Sequence, residues 1–133
     1  DGMIDGKYGY LFYESQNPDV FQYKYGWTVK NSGLEGFFRS NLSAYGFAGK
    51  EIEDFIEWWI PRLDAGCYDI YPQTANEIDP VVKLNFSMIP DSLQRLSYAV
   101  KETPACKEHL AEPVIEPFER TGFSVLEWGV TIR

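Results

Sequence analysis

Apolar residues recur at helical spacing in two segments of the chain. In the first segment they are Leu34, Phe37, Phe38, Leu42 and Tyr45. This spacing places them on one face of an α-helix. Ser32 and Glu35 match the capping-box pattern, which predicts a helix that begins at Ser32. Gly46 stands where a left-handed C-terminal cap favours glycine, and Phe47 can then fold back on Leu42.

The second segment begins near Lys50. Its apolar stripe consists of Ile52, Phe55, Ile56, Trp59, Ile60 and Leu63. Acidic residues such as Asp54 lie off the stripe, so the pattern predicts an amphipathic helix. Pro61 must end or kink this helix, because its ring collides with the carbonyl four residues before it.

Six further segments carry the signals of β-strands. They span residues 8–13, 25–29, 68–71, 82–88, 96–100 and 123–128. Residues 8–13 are apolar on both faces, so this strand is predicted to be central in the sheet. Residues 82–88 alternate apolar and polar positions, which predicts one wet face, with residues 96–100 as the partner strand. Prolines interrupt residues 103–117, which are predicted to form a surface connection.

The predicted strands are grouped on either side of the two helices, without a repeating βαβ order. This arrangement is typical of α+β domains. We therefore predict a largely antiparallel sheet with both amphipathic helices packed on one face. The chain has 133 residues and a mass of 15.3 kDa. This is the size of a single domain, so residues 1–133 are predicted to form one.

The composition constrains the partners. Twenty acidic against twelve basic residues give a net charge of −8, which would repel nucleic acid and anionic membrane surfaces. No apolar run approaches the roughly 20 residues of a spanning helix, so membrane insertion is not predicted. Aromatic residues make up 17% of the chain. This richness favours β-structure and supplies aromatic surface for recognition.

Cys67 and Cys106 are the only cysteines in the sequence. Two interpretations are open: a disulfide that closes the intervening loop, or two buried thiols. Neither cysteine belongs to a CxxC redox or metal pattern, and disulfides are typical of proteins that leave the cytoplasm. The disulfide interpretation therefore goes with a secreted or cell-surface location.

Motifs of the common catalytic classes are missing from the sequence. It has no phosphate-binding glycine loop, no GxSxG and no HExxH, and its single histidine is His109. We predict neither a cofactor nor a metal site. Glu14 ends one predicted strand and Glu127 lies in another, so the two could form the carboxylate pair of a glycosidase. The alternative is that each meets solvent or a basic partner such as Arg120.

Three of the four tryptophans are candidate binding residues. Trp59 follows the helical stripe and is assigned to the core. The others, Trp27, Trp58 and Trp128, could present their rings at the surface. An exposed tryptophan beside tyrosine and carboxylate groups is suited to holding the face of a sugar ring. The alternative is partial burial in a second small core.

Two segments match the N-glycosylation pattern, which applies to secreted eukaryotic proteins. They are Asn41-Leu42-Ser43 and Asn85-Phe86-Ser87. Asn85 lies on the polar face of a predicted strand and could carry a glycan. Asn41 is the poorer acceptor, because it lies inside a predicted helix.

Four segments carry a family resemblance: residues 10–14, 50–61, 90–95 and 118–129. The last contains RTGFSVLEWG and fits a closing RxGFxVxEWG motif, although Val130 stands where the family has a second glycine. These segments resemble a family of extracytoplasmic proteins of bacteria and some fungi for which we know no reaction or ligand. The resemblance implies an extracytoplasmic location and a chain that is the C-terminal portion of a longer precursor. It implies no activity.

The sequence leaves three hypotheses of function. The first is a non-enzymatic extracytoplasmic domain with a structural or adhesive role, whose partner is a glycan or a protein. The second is a carboxylate-dependent hydrolase of the glycosidase type. The third is a subunit that assembles by adding a strand, from a second copy or a missing segment, to an open sheet edge. Aromatic richness, acidity and the missing catalytic motifs favour the first.

Overall fold

A computed structural model describes residues 7, 9–16 and 18–133. The strands are β1 (Trp27–Lys30), β2 (Cys67–Gln73), β3 (Ser92–Glu102) and β4 (Ser124–Ile132). The helices are α1 (Leu34–Ala44), α2 (Lys50–Trp59) and the four-residue α3 (Ala75–Ile78). Short 3₁₀ turns precede α1 and follow α2, at Asn31–Gly33 and Ile60–Arg62.

The four strands form one sheet in the order β1-β2-β3-β4. The pairs β1–β2 and β2–β3 are antiparallel, whereas β3–β4 is parallel. The sheet is therefore mostly antiparallel, and the prediction of an α+β domain is confirmed. The parallel pair was not predicted. It requires a long crossover from the end of β3 back to the start of β4.

α1 confirms the first predicted helix, but its start differs from the prediction. The chain enters α1 through a 3₁₀ turn, and Gly33 rather than Ser32 occupies the N-cap, without a side-chain capping bond. A capping box forms instead at α3, where Thr74 and Glu77 exchange hydrogen bonds with the backbone of the first turn. The same short motif therefore caps the helix at one site and not at the other.

The C-terminal end of α1 agrees with the prediction. Gly46 has a φ of +98°, and the N–H of Phe47 donates to the carbonyl of Leu42 at 3.0 Å. A Cβ on residue 46 would also lie 2.8 Å from Cδ1 of Phe118. Backbone conformation and space both require glycine here.

α2 lies where the second helix was predicted, and it buries the predicted face. The Glu51 carboxylate accepts a hydrogen bond from the N–H of Ala48 at 2.9 Å, just before the helix. Phe55 and Ile56 are buried. The helix ends at a 3₁₀ turn that contains Pro61, because proline cannot continue the α-helical hydrogen bonds.

α1 and α2 cover one face of the sheet and form the core with it. Phe38 of α1 and Phe55 of α2 meet Tyr98 of β3 edge-on, with ring centroids 5.1 and 5.9 Å apart. The Tyr98 hydroxyl donates to Asn41 of α1 at 2.6 Å. This bond satisfies a polar group in an otherwise apolar core.

The opposite face of the sheet is also buried, but it is polar. Asp69, Gln73 and Arg95 point to it from β2 and β3 and are at most 7% exposed. Gln22, in the segment before β1, exchanges two hydrogen bonds with the Gln73 amide, at 2.8 and 2.9 Å. Irregular chain therefore supplies the partner of Gln73, whereas Asp69 and Arg95 also have partners on the neighbouring strands, Thr28 of β1 and Glu127 of β4.

The first predicted strand is wrong. Tyr8 lies outside the described residues, and residues 9–13 form neither helix nor strand. The central positions in the sheet belong to β2 and β3.

The strand predicted at residues 82–88 is also wrong, and β3 pairs with β2 and β4 instead. Val82, Leu84 and Phe86 are half-buried, while the polar residues between them are exposed. The carbonyl of Val82 accepts a hydrogen bond from Arg95 at 2.6 Å rather than joining a ladder. An extended segment that packs on one side thus gives the same alternation as a strand.

The crossover from β3 to β4, residues 103–123, contains no helix and no strand, and all of its residues are described. As predicted, its proline-rich part is irregular. It is not purely a surface connection, because Pro113 is buried and Ile115 packs against the core.

A disulfide and an ion pair are among the contacts that hold the crossover to the rest of the domain. Cys67 and Cys106 form a disulfide, so the disulfide interpretation is confirmed and the free-thiol alternative is wrong. Closing a loop of this length stabilises the fold by about 4 kcal/mol on loop-entropy grounds. Near the other end, Arg120 pairs with Glu51 and donates to the carbonyl of Gly46 at 3.0 Å.

Candidate functional site

Residues 9–16, here called the strap, run along α2 at the edge of the sheet. The strap forms no helix or strand, and Leu11 is 74% exposed. A Cβ on Gly9 would lie 3.2 Å from Nζ of Lys50, whereas Phe12 reaches Trp58 near the other end of α2. The strap therefore runs in the same direction as the helix.

Two strap rings pack on two tryptophans. Tyr10 packs against Trp128 of β4, with centroids 5.7 Å apart and ring planes at 46°. Phe12 packs against Trp58 of α2, with centroids 5.1 Å apart and ring planes at 54°. Residues two apart in extended chain point to the same side. We call the surface formed by Trp58 and Trp128 the aromatic groove.

The body of the domain holds the groove in place without the strap. Trp128 packs edge-on against the fully buried Phe55, with centroids 5.4 Å apart. The guanidinium of Arg62 lies 3.5 Å from the centroid of Trp58 and donates to its carbonyl at 2.6 Å. Both tryptophans thus keep contacts that do not involve the strap.

The strap also reaches an ion cluster on the polar face of the sheet. The hydroxyl of Tyr13 donates to Glu127. Arg95, beside Glu127 in the β3–β4 register, donates to both carboxylate oxygens, at 2.7 and 3.3 Å. Its Nη1 donates to Asp79 at 3.0 Å and to the carbonyl of Val82 at 2.6 Å. Arg95 therefore joins β3, β4 and the segment after α3.

Burial and hydrogen bonding shift the pKa values of Arg95 and Tyr13. Arg95 is 2% exposed. Burial alone lowers the pKa of Arg95, but its hydrogen bonds to Glu127 and Asp79 outweigh burial and leave that pKa above its ordinary value. Burial, followed by the hydrogen bond to Glu127, raises the pKa of Tyr13 to about 12. The phenol of Tyr13 is therefore a neutral donor at physiological pH.

This geometry gives Glu127 a structural role. Its basic partner is Arg95 rather than Arg120, which pairs with Glu51. A general acid or a nucleophile must direct a proton or a free lone pair at its substrate, whereas both oxygens of Glu127 accept hydrogen bonds from Arg95, and one of them also accepts from Tyr13. Glu14 is exposed on the strap. The arrangement offers no support for a glycosidase pair.

Trp27 does not belong to the groove. It lies in β1, at the opposite edge of the sheet, and its ring packs against Phe37 of α1 with centroids 5.3 Å apart. Like Trp58 and Trp128, it is half-buried. The structure therefore brings two of the three candidate tryptophans together and separates the third.

A second candidate surface lies where β3 and β4 begin. The N–H of Asp91 donates to the carbonyl of Phe123 at 2.8 Å, which places the entries to the two strands side by side. The exposed apolar side chains at this end of the sheet are Met88, Ile89, Leu93 and Phe123. We call these four residues the apolar end.

The two glycosylation candidates differ in accessibility. Asn41 is buried in α1, and its side-chain oxygen accepts the hydrogen bond of Tyr98. Asn85 lies in irregular chain rather than on a strand, and it is exposed. Only Asn85 presents its amide to solvent without disturbing the core.

The single histidine lies beside the polar face of the sheet. Nε2 of His109 is 3.5 Å from the Asp69 carboxylate, and Nδ1 is 2.7 Å from the carbonyl of Lys107.

Across the described residues, no three acidic, histidine or cysteine side chains are grouped so that they could hold a metal ion. No helix in the described part of the chain is long and apolar enough to cross a membrane.

Sequence reasoning did not identify two functional features. Arg95 lay outside the predicted strand 96–100 and was noted only within the resemblance segment 90–95, although a charged residue between Leu93 and Leu96 is a signal that something buried must neutralise it. The strap overlaps residues 8–13, which were predicted to form a central strand because they are apolar on both faces. Its rings cover tryptophans instead of joining a ladder.

The chain was compared with models of protein families, with curated proteins and with solved structures, and none of these comparisons gave a significant match. A fold alone does not define a function. The surfaces that could carry one are the aromatic groove and the apolar end.

Proposed function

We propose that the protein is a non-enzymatic domain that acts outside the cytoplasm and binds another protein through the apolar end. The observation that carries this proposal is the exposure of Met88, Ile89, Leu93 and Phe123 at one end of the sheet. Grouped apolar side chains in water are typical of interaction surfaces. The disulfide supports the location, because such bonds persist in oxidising compartments.

The apolar end is built on ordered chain. Leu93 is in register with Val125 in the parallel β3–β4 pair. The Asp91 carboxylate accepts a hydrogen bond from the N–H of Phe123 at 2.7 Å and so fixes the backbone of that residue. A surface that is already ordered loses less conformational entropy when a partner binds.

A protein partner is better supported than a glycan. Sugar recognition would use the flat faces of Trp58 and Trp128. In this structure Phe12 and Arg62 pack on Trp58, while Tyr10 and Phe55 pack on Trp128. A glycan would first have to displace the strap, whereas the apolar end is already exposed.

The test measures binding of the purified domain to arrays of extracellular proteins and of polysaccharides. We expect the wild-type domain to bind a protein, and Ile89→Lys/Phe123→Lys to weaken that binding by about tenfold or more, because each lysine must be desolvated in the interface. Val114→Lys is the matched control. Val114 is 89% exposed, like Ile89 at 86%, but it lies on the crossover.

Three results would contradict the proposal. The wild-type domain could bind polysaccharides alone, it could bind nothing on either array, or Ile89→Lys/Phe123→Lys could bind as well as Val114→Lys. Near-UV circular dichroism of each variant separates a loss of binding from a loss of folding.

A further inference from the structure

The contact between strap and groove can also form between two molecules. We infer that the aromatic groove is a binding site for an extended aromatic segment, and that its partner is the strap of a second copy of this chain. In the structure the strap of the same chain fills the site, which we call the cis contact. The inference concerns a different surface from the apolar end and does not depend on it.

The strap shows what chemistry the groove accepts. It presents Tyr10, Phe12 and Tyr13 to the groove and the neighbouring carboxylate. The first two are rings two residues apart, and the third is a phenol that donates to Glu127. Leu11 between them faces solvent. The matching ligand is therefore an extended segment with an aromatic residue, an open position, a second aromatic residue and a tyrosine.

Contacts within the body of the domain support both tryptophans of the groove and the neighbouring carboxylate. Phe55 supports Trp128, Arg62 supports Trp58, and Arg95 holds Glu127. Each of these supports belongs to the body of the domain. An empty groove would present two tryptophan rings and a carboxylate already in place, which favours a new occupant of the same chemistry.

The strap is the weakly held partner in this contact. It forms no helix or strand, and its rings are 40% exposed for Tyr10 and 48% for Phe12. Because such rings keep much of their contact with water, the strap gains less by staying bound than a buried segment would. If the straps of two copies change places, no contact is lost. The strap of each copy then makes, in the groove of the other, the same contacts that it made in its own.

Tethering explains why the cis contact forms first. Because the strap and its groove belong to one chain, the strap stays near that groove at an effective concentration of roughly millimolar order. Exchange between copies becomes measurable at lower concentration only if the cis contact is removed. Two variants achieve this: Tyr10→Ser/Phe12→Ser disables the strap, and Trp58→Ala disables the groove. Trp58 is chosen because Trp128 also packs against the buried Phe55.

The first experiment mixes the two variants and measures their mass by sedimentation velocity. At roughly 100 μM, well below the effective concentration of a tethered strap, each variant alone should stay monomeric. The mixture should form a heterodimer, because the strap of Trp58→Ala enters the empty groove of Tyr10→Ser/Phe12→Ser. Adding Leu11→Ser to the Trp58→Ala chain is the matched control and should leave the heterodimer intact.

The second experiment uses a fluorescent peptide of residues 9–16 and measures its anisotropy with each protein. The peptide should bind Tyr10→Ser/Phe12→Ser about tenfold or more tightly than the wild type, whose groove is already occupied. Adding Trp58→Ala to that strap variant should abolish binding. This experiment remains decisive if Trp58→Ala alone fails to fold.

The inference is overturned if the peptide fails to bind the folded strap variant at millimolar concentration. A peptide complex without a heterodimer would also overturn it, since the partner would then not be a second copy. Ile89→Lys/Phe123→Lys should not affect the heterodimer. Failure of this inference and failure of the proposed function are thus distinguishable.

Discussion

The two faces of the sheet are buried by different means, although the same strands supply both. One face packs against α1 and α2 through rings such as Phe38 and Tyr98. The other face buries Asp69, Gln73 and Arg95, whose hydrogen-bond partners come from the neighbouring strands and from irregular chain. Apolar burial stabilises in proportion to area, whereas a buried polar network contributes little net but costs much when one partner is removed.

The polar face fixes the register more strictly than the apolar face. A slip of two residues between β3 and β4 would leave every side chain on its own face. It would, however, separate Arg95 from Glu127, which are directly opposite in the observed register. A buried charge without its partner is strongly unfavourable. The apolar face therefore supplies stability, and the polar face selects one alignment.

The largest loss of stability is expected from Phe38→Ala, on the apolar face. Phe38 is fully buried and contacts Phe55 and Tyr98, so its removal leaves a cavity that costs about 4 kcal/mol of unfolding free energy. Urea denaturation measures this change. The neighbouring Phe37→Ala is the control and should cost less, because Phe37 is half-buried. Equal losses would contradict this description of the core.

Arg95→Ala is expected to lower the free energy of unfolding by about 3 kcal/mol, because it leaves Glu127 without its buried partner. Urea denaturation again provides the measurement. Arg39→Ala, which breaks exposed ion pairs to Glu35 and Glu53, should cost less than about 1 kcal/mol. Adding Glu127→Leu to an Arg95→Met variant should recover most of the loss, because no buried charge is then left unpaired; Asp79, the other partner of Arg95, is 61% exposed. A loss for Arg95→Ala as small as for Arg39→Ala would refute the buried cluster.

Alkaline pH should lower the free energy of unfolding, because tyrosines on both faces of the sheet have raised pKa values. Burial raises the pKa of Tyr45 to about 12 and that of Tyr98 well above its usual range, and Tyr13 also has a pKa of about 12. Because these folded-state pKa values exceed the unfolded value of about 10, the stability they confer is complete below pH 10 and falls as pH rises towards 12.

Urea denaturation across this pH range, with tyrosinate absorbance as the probe, measures the effect. Tyr13→Phe should flatten part of the decline, because it removes one of the raised pKa values. A stability that does not change between about pH 10 and 12 would contradict the raised pKa values of these phenols.

The apolar face was largely predictable from the sequence, because it follows local rules. Phe38 and Phe55 recur at helical spacing, and Gly46 occupies a position that requires positive φ. The parallel β3–β4 pair was not predictable, because its crossover contains no helix to reveal a βαβ unit. The pairing of Cys67 with Cys106 stayed open until their Cα atoms were found 5.6 Å apart.

The candidate site was predictable only in part. Trp58 was identified as a boundary residue because it lies beside the apolar stripe of its helix, and Trp128 because it opposes Phe123 and Val125 across its strand. What covers them was not identified, because an aromatic segment has the same composition whether it joins a ladder or lies over two rings. The partner of Glu127 depends on which strands are neighbours, and that is a long-range property.

The smallest expected effects come from β1, where adjacent residues face opposite sides of the sheet. Thr28 donates to Asp69 at 2.6 Å on the polar face, whereas Val29 packs against the core. Thr28→Val should cost about 1 kcal/mol, because water replaces only part of the lost hydrogen bond. Val29→Thr should cost about as much, since it places a hydroxyl in apolar surroundings. A Thr28→Val variant that is more stable than the wild type in thermal denaturation would contradict this description. Buried polar groups on the polar face would then not require hydrogen-bond partners.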